Sequence, residues 1–139
     1  RVEILPIAEM RFENWDPDRP RIVGYAAKWD PNRDDFHNTV RDFCWAALEP
    51  ELLASLREIT EKCWALFECS GYARVDFRVD DTGRPFVLEV NVNPCLEPDA
   101  GFAAAAAQAG LSYEQIVDHI CATAVDAATS HASRYRSAG

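Results

Sequence analysis

Between residues 74 and 91, two short segments alternate polar and apolar side chains: Arg74-Val75-Asp76-Phe77-Arg78 and Val87-Leu88-Glu89-Val90-Asn91. A period of two is that of a β-strand, whose side chains point alternately to its two faces. Arg74, Asp76 and Arg78 therefore share one face of the first strand, and Glu89 and Asn91 share one face of the second. Thr82-Gly83, in the connecting Asp80-Asp81-Thr82-Gly83-Arg84, is a hairpin signal. A tight turn there sets residue 80 opposite 85, Asp76 opposite Glu89 and Arg74 opposite Asn91, all on one side. Val75, Phe77, Val79, Leu88, Val90 and Val92 then gather on the other side as a core face. Directly opposed carboxylates destabilise a strand pair, so this pattern requires compensating positive charge. The arginines alone could provide it, as a purely structural ladder. A hard cation fits the residue types better: Asp, Glu and Asn offer only oxygen donors, which suit Mg²⁺ held between carboxylates and phosphates, and a salt-bridge ladder has no need of the neutral Asn91 carbonyl.

The rest of the chain reads as α+β with a mostly antiparallel sheet and flanking helices. Val2 to Phe12 is expected to be a strand and Arg21 to Trp29 a second, the two forming a β-ribbon around the turn cluster Asn14-Trp15-Asp16-Pro17-Asp18-Arg19-Pro20. Asp30 to Arg41 is polar and without period, as functional lids often are. Pro50 opens a helix whose apolar positions Leu52, Leu53, Leu56, Ile59, Cys63, Leu66 and Phe67 run through Glu68, with Gly71 beyond its end. Pro98 to Ala109 is expected to be an alanine-rich helix stopped by Gly110, with Asp99 as its cap. Ser112 with Gln115 forms a capping box for a last helix, and Ser130 to Gly139 is a polar tail expected to fray.

Composition narrows the function classes. The 139 residues are enough for one compact domain, and 48% hydrophobic with 27% charged residues is the balance of a folded protein. A net charge of -9 argues against a nucleic-acid partner, because phosphate backbones are gripped by clustered Lys and Arg. No apolar run reaches the roughly 20 residues that span a bilayer. The five cysteines, Cys44, Cys63, Cys69, Cys95 and Cys121, contain no Cys-x-x-Cys pair. Reduced, mostly buried thiols in a cytoplasmic protein are the expectation.

Gly71-Tyr72-Ala73-Arg74-Val75-Asp76-Phe77, an acidic turn, and Val87-Leu88-Glu89-Val90-Asn91-Val92-Asn93-Pro94 together resemble the metal-binding signature of the ATP-grasp superfamily, in its D-alanine–D-alanine ligase branch. The similarity extends through Ile22-Val23-Gly24-Tyr25-Ala26-Ala27-Lys28-Trp29 and through Ala109-Gly110-Leu111-Ser112-Tyr113. The resemblance implies that residues 1–139 are the C-terminal part of an ATP-grasp domain whose upstream half is absent. It implies an ATP- and Mg²⁺-dependent (or Mn²⁺-dependent) carboxylate–amine ligase, acting through an acyl-phosphate on a small amino acid or carboxylate and inactive as this fragment alone. Asp76, Glu89 and Asn91 would hold the metal, and Lys28 and Asn91 would contact the cofactor. Arg74 and Lys28 would be catalytic, Arg74 stabilising an oxyanion and Lys28 reaching the phosphates. Asp30 to Arg41 would close over the site. The missing N-terminal part would be its partner, a homodimer is admitted, and the location would be cytoplasmic.

Two positions depart from the family. Cys95 stands where glycine is usual after Asn-x-x-Pro, and Ala100 stands where the family places the hydroxyl that binds the acceptor. Ala100 leaves the acceptor open, and admits an alternative in which the module binds metal or nucleotide without catalysis. The intact set of Arg74, Asp76, Glu89 and Asn91 favours the enzyme.

Overall fold

The computed structural model describes residues 2–47 and 49–136. They pack as two compact units, one combining Arg1–Pro6 with Pro50–Gly139 and the other running Ile7–Glu49. Among the described residues the sheets are two antiparallel pairs, and helices make up most of the remainder, an α+β architecture.

In the Ile7–Glu49 unit, strand β1 (Glu9–Phe12) is followed by helices α1 (Tyr25–Trp29) and α2 (Asp34–His37), then by strand β2 (Thr39–Asp42). The partner of β1 is β2, from Glu9↔Asp42 to Phe12↔Thr39, so Arg21 to Trp29 is not the second strand of a ribbon. Apolar residues at 22, 23, 25, 26 and 27 lack the strict alternation of a half-buried strand, and the run instead closes one helical turn with Lys28 N–H donating to the Gly24 carbonyl at 3.2 Å. The segment from Asp30 to Arg41 likewise holds α2 and most of β2 rather than bare loop. Its local order comes from short-range polar bonds that periodicity does not register: Asp30 Oδ1 accepts the Asn32 N–H at 3.1 Å, and the Thr39 hydroxyl donates to the Asp35 carbonyl at 2.7 Å. After a 3-10 turn (Cys44–Ala47), Trp45 is buried and its indole N–H donates to the Ile7 carbonyl at 2.9 Å.

In the other unit, α3 (Pro50–Leu66) begins at the proline as expected and buries Leu56 and Cys63, two turns apart. Leu66 and Phe67 point outward, so the apolar stripe ends a turn early. The terminus is a Schellman arrangement: Cys69 N–H reaches the Trp64 carbonyl at 3.0 Å, and Glu68 takes the left-handed conformation (φ 49°) three residues before Gly71. Helices α4 (Gly101–Gln108) and α5 (Tyr113–Arg136) pack around Ala103, Ala106 and Ile116, with Leu5, Phe102, Leu111 and Ile120 against them. Alanine lets the two helices approach closely, and Ala106 is fully buried. Gly110 (φ 83°) stops α4. The α4 N-cap is Ala100, with no side-chain cap bond, so Asp99 is not the cap. At α5 the capping box forms: Ser112 N–H donates to Gln115 Oε1 at 2.7 Å, and Gln115 N–H to Ser112 Oγ at 3.3 Å. The helix continues to Arg136 through most of the stretch expected to fray, and residues 137–139 lie outside the described residues. All five cysteines are free, but only Cys63 is buried; Cys44, Cys95 and Cys121 are exposed, against the expectation of mostly buried thiols. Small α+β units leave few positions deep enough to hide a thiol.

Strands β3 (Arg74–Val79) and β4 (Pro85–Asn91) form the hairpin. Arg74↔Asn91 and Asp76↔Glu89 pair as the alternation requires. The route to that register differs from a simple two-residue turn. Asp80 N–H bonds the Arg84 carbonyl at 3.0 Å with Gly83 left-handed (φ 81°), a three-residue loop that sets Val79 opposite Pro85. A bulge then leaves Leu88 without a partner between Phe77↔Val87 and Asp76↔Glu89, restoring the inner register. The unpaired Leu88 is exposed rather than part of a core face, and so is Val92, one residue beyond the end of β4.

Asp80 organises the loop. Its carboxylate accepts the Thr82 hydroxyl (2.6 Å), the Thr82 and Arg84 N–H groups (both 3.0 Å) and Arg84 Nε–H (3.2 Å). These bonds, that of the Thr82 hydroxyl foremost, hold Asp80 below the usual carboxylate range. A carboxyl whose folded pKa is depressed adds stability that is complete above its unfolded value of about 3.9 and is lost as pH falls through the lower folded value. Asp80→Asn is therefore expected to lower the melting temperature at neutral pH, by an amount that shrinks below about pH 4. Thermal unfolding of both proteins across that range checks this; a constant gap would show that the charge adds nothing.

Candidate functional site

The hairpin carries four of the five residues singled out from sequence. Arg74 and Asp76 are two apart on β3 and so face the same way. The guanidinium grips the carboxylate through two bonds, Nε–H to Oδ1 at 2.6 Å and Nη2–H to Oδ2 at 2.8 Å. Across the ladder, Glu89 Oε1 stands 3.8 Å from Arg74 Nη2, within ion-pair range but too far for a hydrogen bond. Arg74 thus neutralises Asp76 and only partly compensates Glu89. The Asp76 bond is the main reason the guanidinium is held above its ordinary pKa, helped by the charge of Asp76 itself and then of Glu89. It stays charged at neutral pH.

Asn91 completes the set on β4. Its Oδ1 accepts the Asn93 N–H at 2.9 Å, a local turn that fixes the amide and leaves a second lone pair free in principle. Asn93 Oδ1 in turn accepts the Tyr72 hydroxyl at 2.9 Å, and Tyr72 stands edge-on to Phe102 at 5.4 Å, tying the hairpin to α4. Pro94 is fully buried beneath, and Cys95 emerges exposed. The Asn91, Asn93 and Tyr72 links escaped the sequence reading, although Asn-x-Asn is the spacing of an Asx turn and signals the first of them.

The donor chemistry fits a hard divalent cation. Asp76 and Glu89 are opposed, Asn91 adds a neutral oxygen, and each Asp76 oxygen engaged by Arg74 retains a further lone pair. Among the described residues no three His, Cys, Asp or Glu side chains cluster as a complete metal cage. An ion here would draw the remainder of its shell from water or phosphate, which is the habit of Mg²⁺.

Lys28 is placed differently. It is exposed in the last turn of α1, in the Ile7–Glu49 unit, on a helix rather than at a strand end. A polar cleft of about 480 Å³ belongs to that unit too and is bordered by Trp15, Arg19, Asn32 and Asp35, not by the carboxylate pair.

A family model described as the C-terminus of D-ala D-ala ligase matches residues 2–122. The chain belongs to that family. An uncharacterised protein of Sinorhizobium fredii, y4sG, is 34% identical over 122 residues, 86% of this chain and 33% of that protein. The D-alanine–D-alanine ligase of Cupriavidus necator is 31% identical over 104 residues, 75% of this chain and 32% of that enzyme. Among solved structures, D-alanine–D-alanine ligase from Bacillus anthracis is similar with a TM-score of 0.67 at 29% identity, covering 91% of this chain and 37% of that one. A structure of that enzyme complexed with ATP is similar with a TM-score of 0.61 at 30% identity, covering 68% of this chain and 32% of the other. The family member described here thus spans about a third of the length of these relatives, and the ligase fold class is shared. No helix among its described residues is long and apolar enough to cross a membrane.

Proposed function

We propose that the chain is the C-terminal, metal-binding part of an ATP- and Mg²⁺-dependent carboxylate–amine ligase, which joins a carboxylate to an amine through an acyl-phosphate. The observation that carries this reading is the opposed pair Asp76 and Glu89, with Asn91 beside it and Arg74 bound to Asp76. A purely structural ladder would pair both carboxylates closely with cations; here the ion pair of Glu89 with Arg74 is a long one of 3.8 Å, and Asn91 contributes an oxygen that no ion pair needs.

Asp76, Glu89 and Asn91 hold Mg²⁺ or Mn²⁺, which when bound neutralises charge on the ATP phosphates. Phosphoryl transfer asks the protein mainly for position and charge. Lys28 contacts those phosphates with its ammonium. Arg74, fixed by Asp76, presents a permanent positive charge where the amine attacks and an oxyanion forms, a preorganised stabiliser. Polypeptide upstream of this segment supplies the adenine-binding and substrate-binding parts, so residues 1–139 alone do not turn over ATP. The acceptor is a small amine whose carboxyl is not gripped by a hydroxyl at position 100, which is alanine. The enzyme works in the cytoplasm, where ATP is supplied, and a homodimer is compatible with this reading.

The metal site is tested on this chain directly. Paramagnetic Mn²⁺ is expected to broaden the amides of Glu89, Asn91 and Cys95 first, at weak affinity, because phosphate oxygens normally complete the shell. Broadening spread evenly along the chain, or unchanged in an Asp76→Asn, Glu89→Gln double variant, would remove the assignment.

A further inference from the structure

Lys28 rides on a helix that is not seated on a buried core among the described residues. Among the described residues α1 and α2 bury no side chain, and Tyr25 and Trp29 are 78% and 60% exposed. Five residues are far too few for a helix to stand on its own hydrogen bonds. Something other than a core must set where the Lys28 ammonium is presented.

The bonds flanking this segment supply it. Arg19 and Asp35, separated by 16 positions with Lys28 between them, are joined twice: Nη1–H to Oδ1 at 2.7 Å and Nη2–H to Oδ2 at 2.6 Å. A bidentate pair fixes angle as well as distance. Each partner is also anchored to the β1–β2 ladder. The Arg19 guanidinium lies 4.3 Å over the Trp15 ring, and Trp15 stands edge-on to Phe12 of β1 at 4.9 Å, with its indole N–H on the Pro20 carbonyl at 3.3 Å. Asp35 follows the first residue of α2, and its carbonyl accepts the hydroxyl of Thr39, which pairs with Phe12. The two ends of the excursion therefore meet at the same end of one strand pair. Compact loops with joined ends, packed by their own side chains, are frequent carriers of function.

We propose that Arg19 and Asp35 are positioning residues for Lys28, their ion pair closing the neck of the loop that presents the lysine to the anionic phosphate oxygens of the nucleotide. This rests on the reading of Lys28 as a phosphate contact. The bond to Asp35 raises Arg19 above its ordinary pKa, and that to Arg19 holds Asp35 below the usual carboxylate range, so both stay ionised at neutral pH. Because the Arg19 side chain is half-exposed, although that of Asp35 is mostly covered, the pair contributes little to global stability. Its effect is local: opening the neck lets α1 and α2 sample other positions while the rest stays folded.

Two measurements test this. In residues 1–139, Arg19→Ala is expected to speed amide hydrogen exchange across residues 25–37 by about tenfold, while β3 and β4 exchange as before. Asp35→Asn, of the same shape, should do likewise if Arg19→Ala does not fold, and Asp35→Glu should recover most of the protection. In the complete ligase, Arg19→Ala should raise the KM for ATP about tenfold with a smaller change in kcat, and should add nothing in a Lys28→Ala background, as residues acting through one another behave. Additive effects of the two substitutions, or exchange unaltered in both neck variants, would overturn the proposal while leaving Lys28 in place. A Lys28→Ala enzyme with unchanged KM for ATP would overturn the reading of Lys28 itself, and the proposal with it.

Discussion

Arg74→Ala in the complete ligase is expected to lower kcat by roughly a hundredfold or more, with the KM for ATP little changed. Arg74 lies on the same strand face as Asp76, directly opposite Asn91, and two hydrogen bonds hold its guanidinium. A donor fixed in advance lowers the barrier because the protein does not reorganise as charge develops. The competing role, neutralisation of two carboxylates, predicts another pattern. Without Arg74 the opposed Asp76 and Glu89 would repel, the melting temperature would fall, and metal would bind more tightly for want of a competing positive charge. One variant measured three ways separates the cases: kcat, the KM for ATP and the melting temperature. Normal turnover would end the catalytic assignment of Arg74 and leave the carboxylate site standing.

Asp76→Asn should be at least as damaging, and its damage should depend on metal. The amide keeps the shape and one oxygen but loses the charge, leaving Arg74 facing Glu89 across 3.8 Å as its remaining acidic neighbour here. At limiting Mg²⁺ the rate is expected to fall by roughly a hundredfold or more, and excess Mg²⁺ or Mn²⁺ should recover part of it. A titration of rate against metal concentration for both enzymes is the check. A fall of equal size at every concentration would mean that Asp76 serves only to orient Arg74. No fall at all would take it out of the site.

The site was more legible than the fold around it. Period-two alternation is a strong signal where one face must be polar, so the faces taken by residues 74–91 could be read directly, whereas the opposition of Asp76 to Glu89 and of Arg74 to Asn91 matches the expected register only because the bulge at Leu88 offsets a turn that differs from the expected one. The helix from Pro50 and the capping box at Ser112 and Gln115 were equally readable, since proline at a helix start and a reciprocal Ser–Gln pair act locally. Residues 19–42 were not. There the chain is held by a stacked arginine, an exposed ion pair and side-chain bonds to backbone, which leave no periodic trace. The partner of β1 was misplaced for the same reason: strand pairing between Phe12 and Thr39 is decided by that polar scaffold, not by an apolar stripe. The end of α3 at Leu66 shows the limit from another side, because the left-handed Glu68 just beyond it carries none of the warning a glycine would.

The bulge at Leu88 has a consequence for how the hairpin can vary. The outer half of the ladder, Val79↔Pro85 to Phe77↔Val87, and the inner half, from Asp76↔Glu89, run one residue out of step. The bulge therefore works as a slip joint. It carries Val87 onto the face of Phe77 and swings Phe86 to the side of Arg78, where the Arg84 guanidinium covers its ring at 4.7 Å. Directly opposed residues share a face, so a strand without this step would have put Val87 among the charged side chains instead. Changes in turn length at Asp80–Arg84 can be taken up at Leu88 before they reach Glu89. The tip of the hairpin can thereby change length while the two carboxylates keep their alignment.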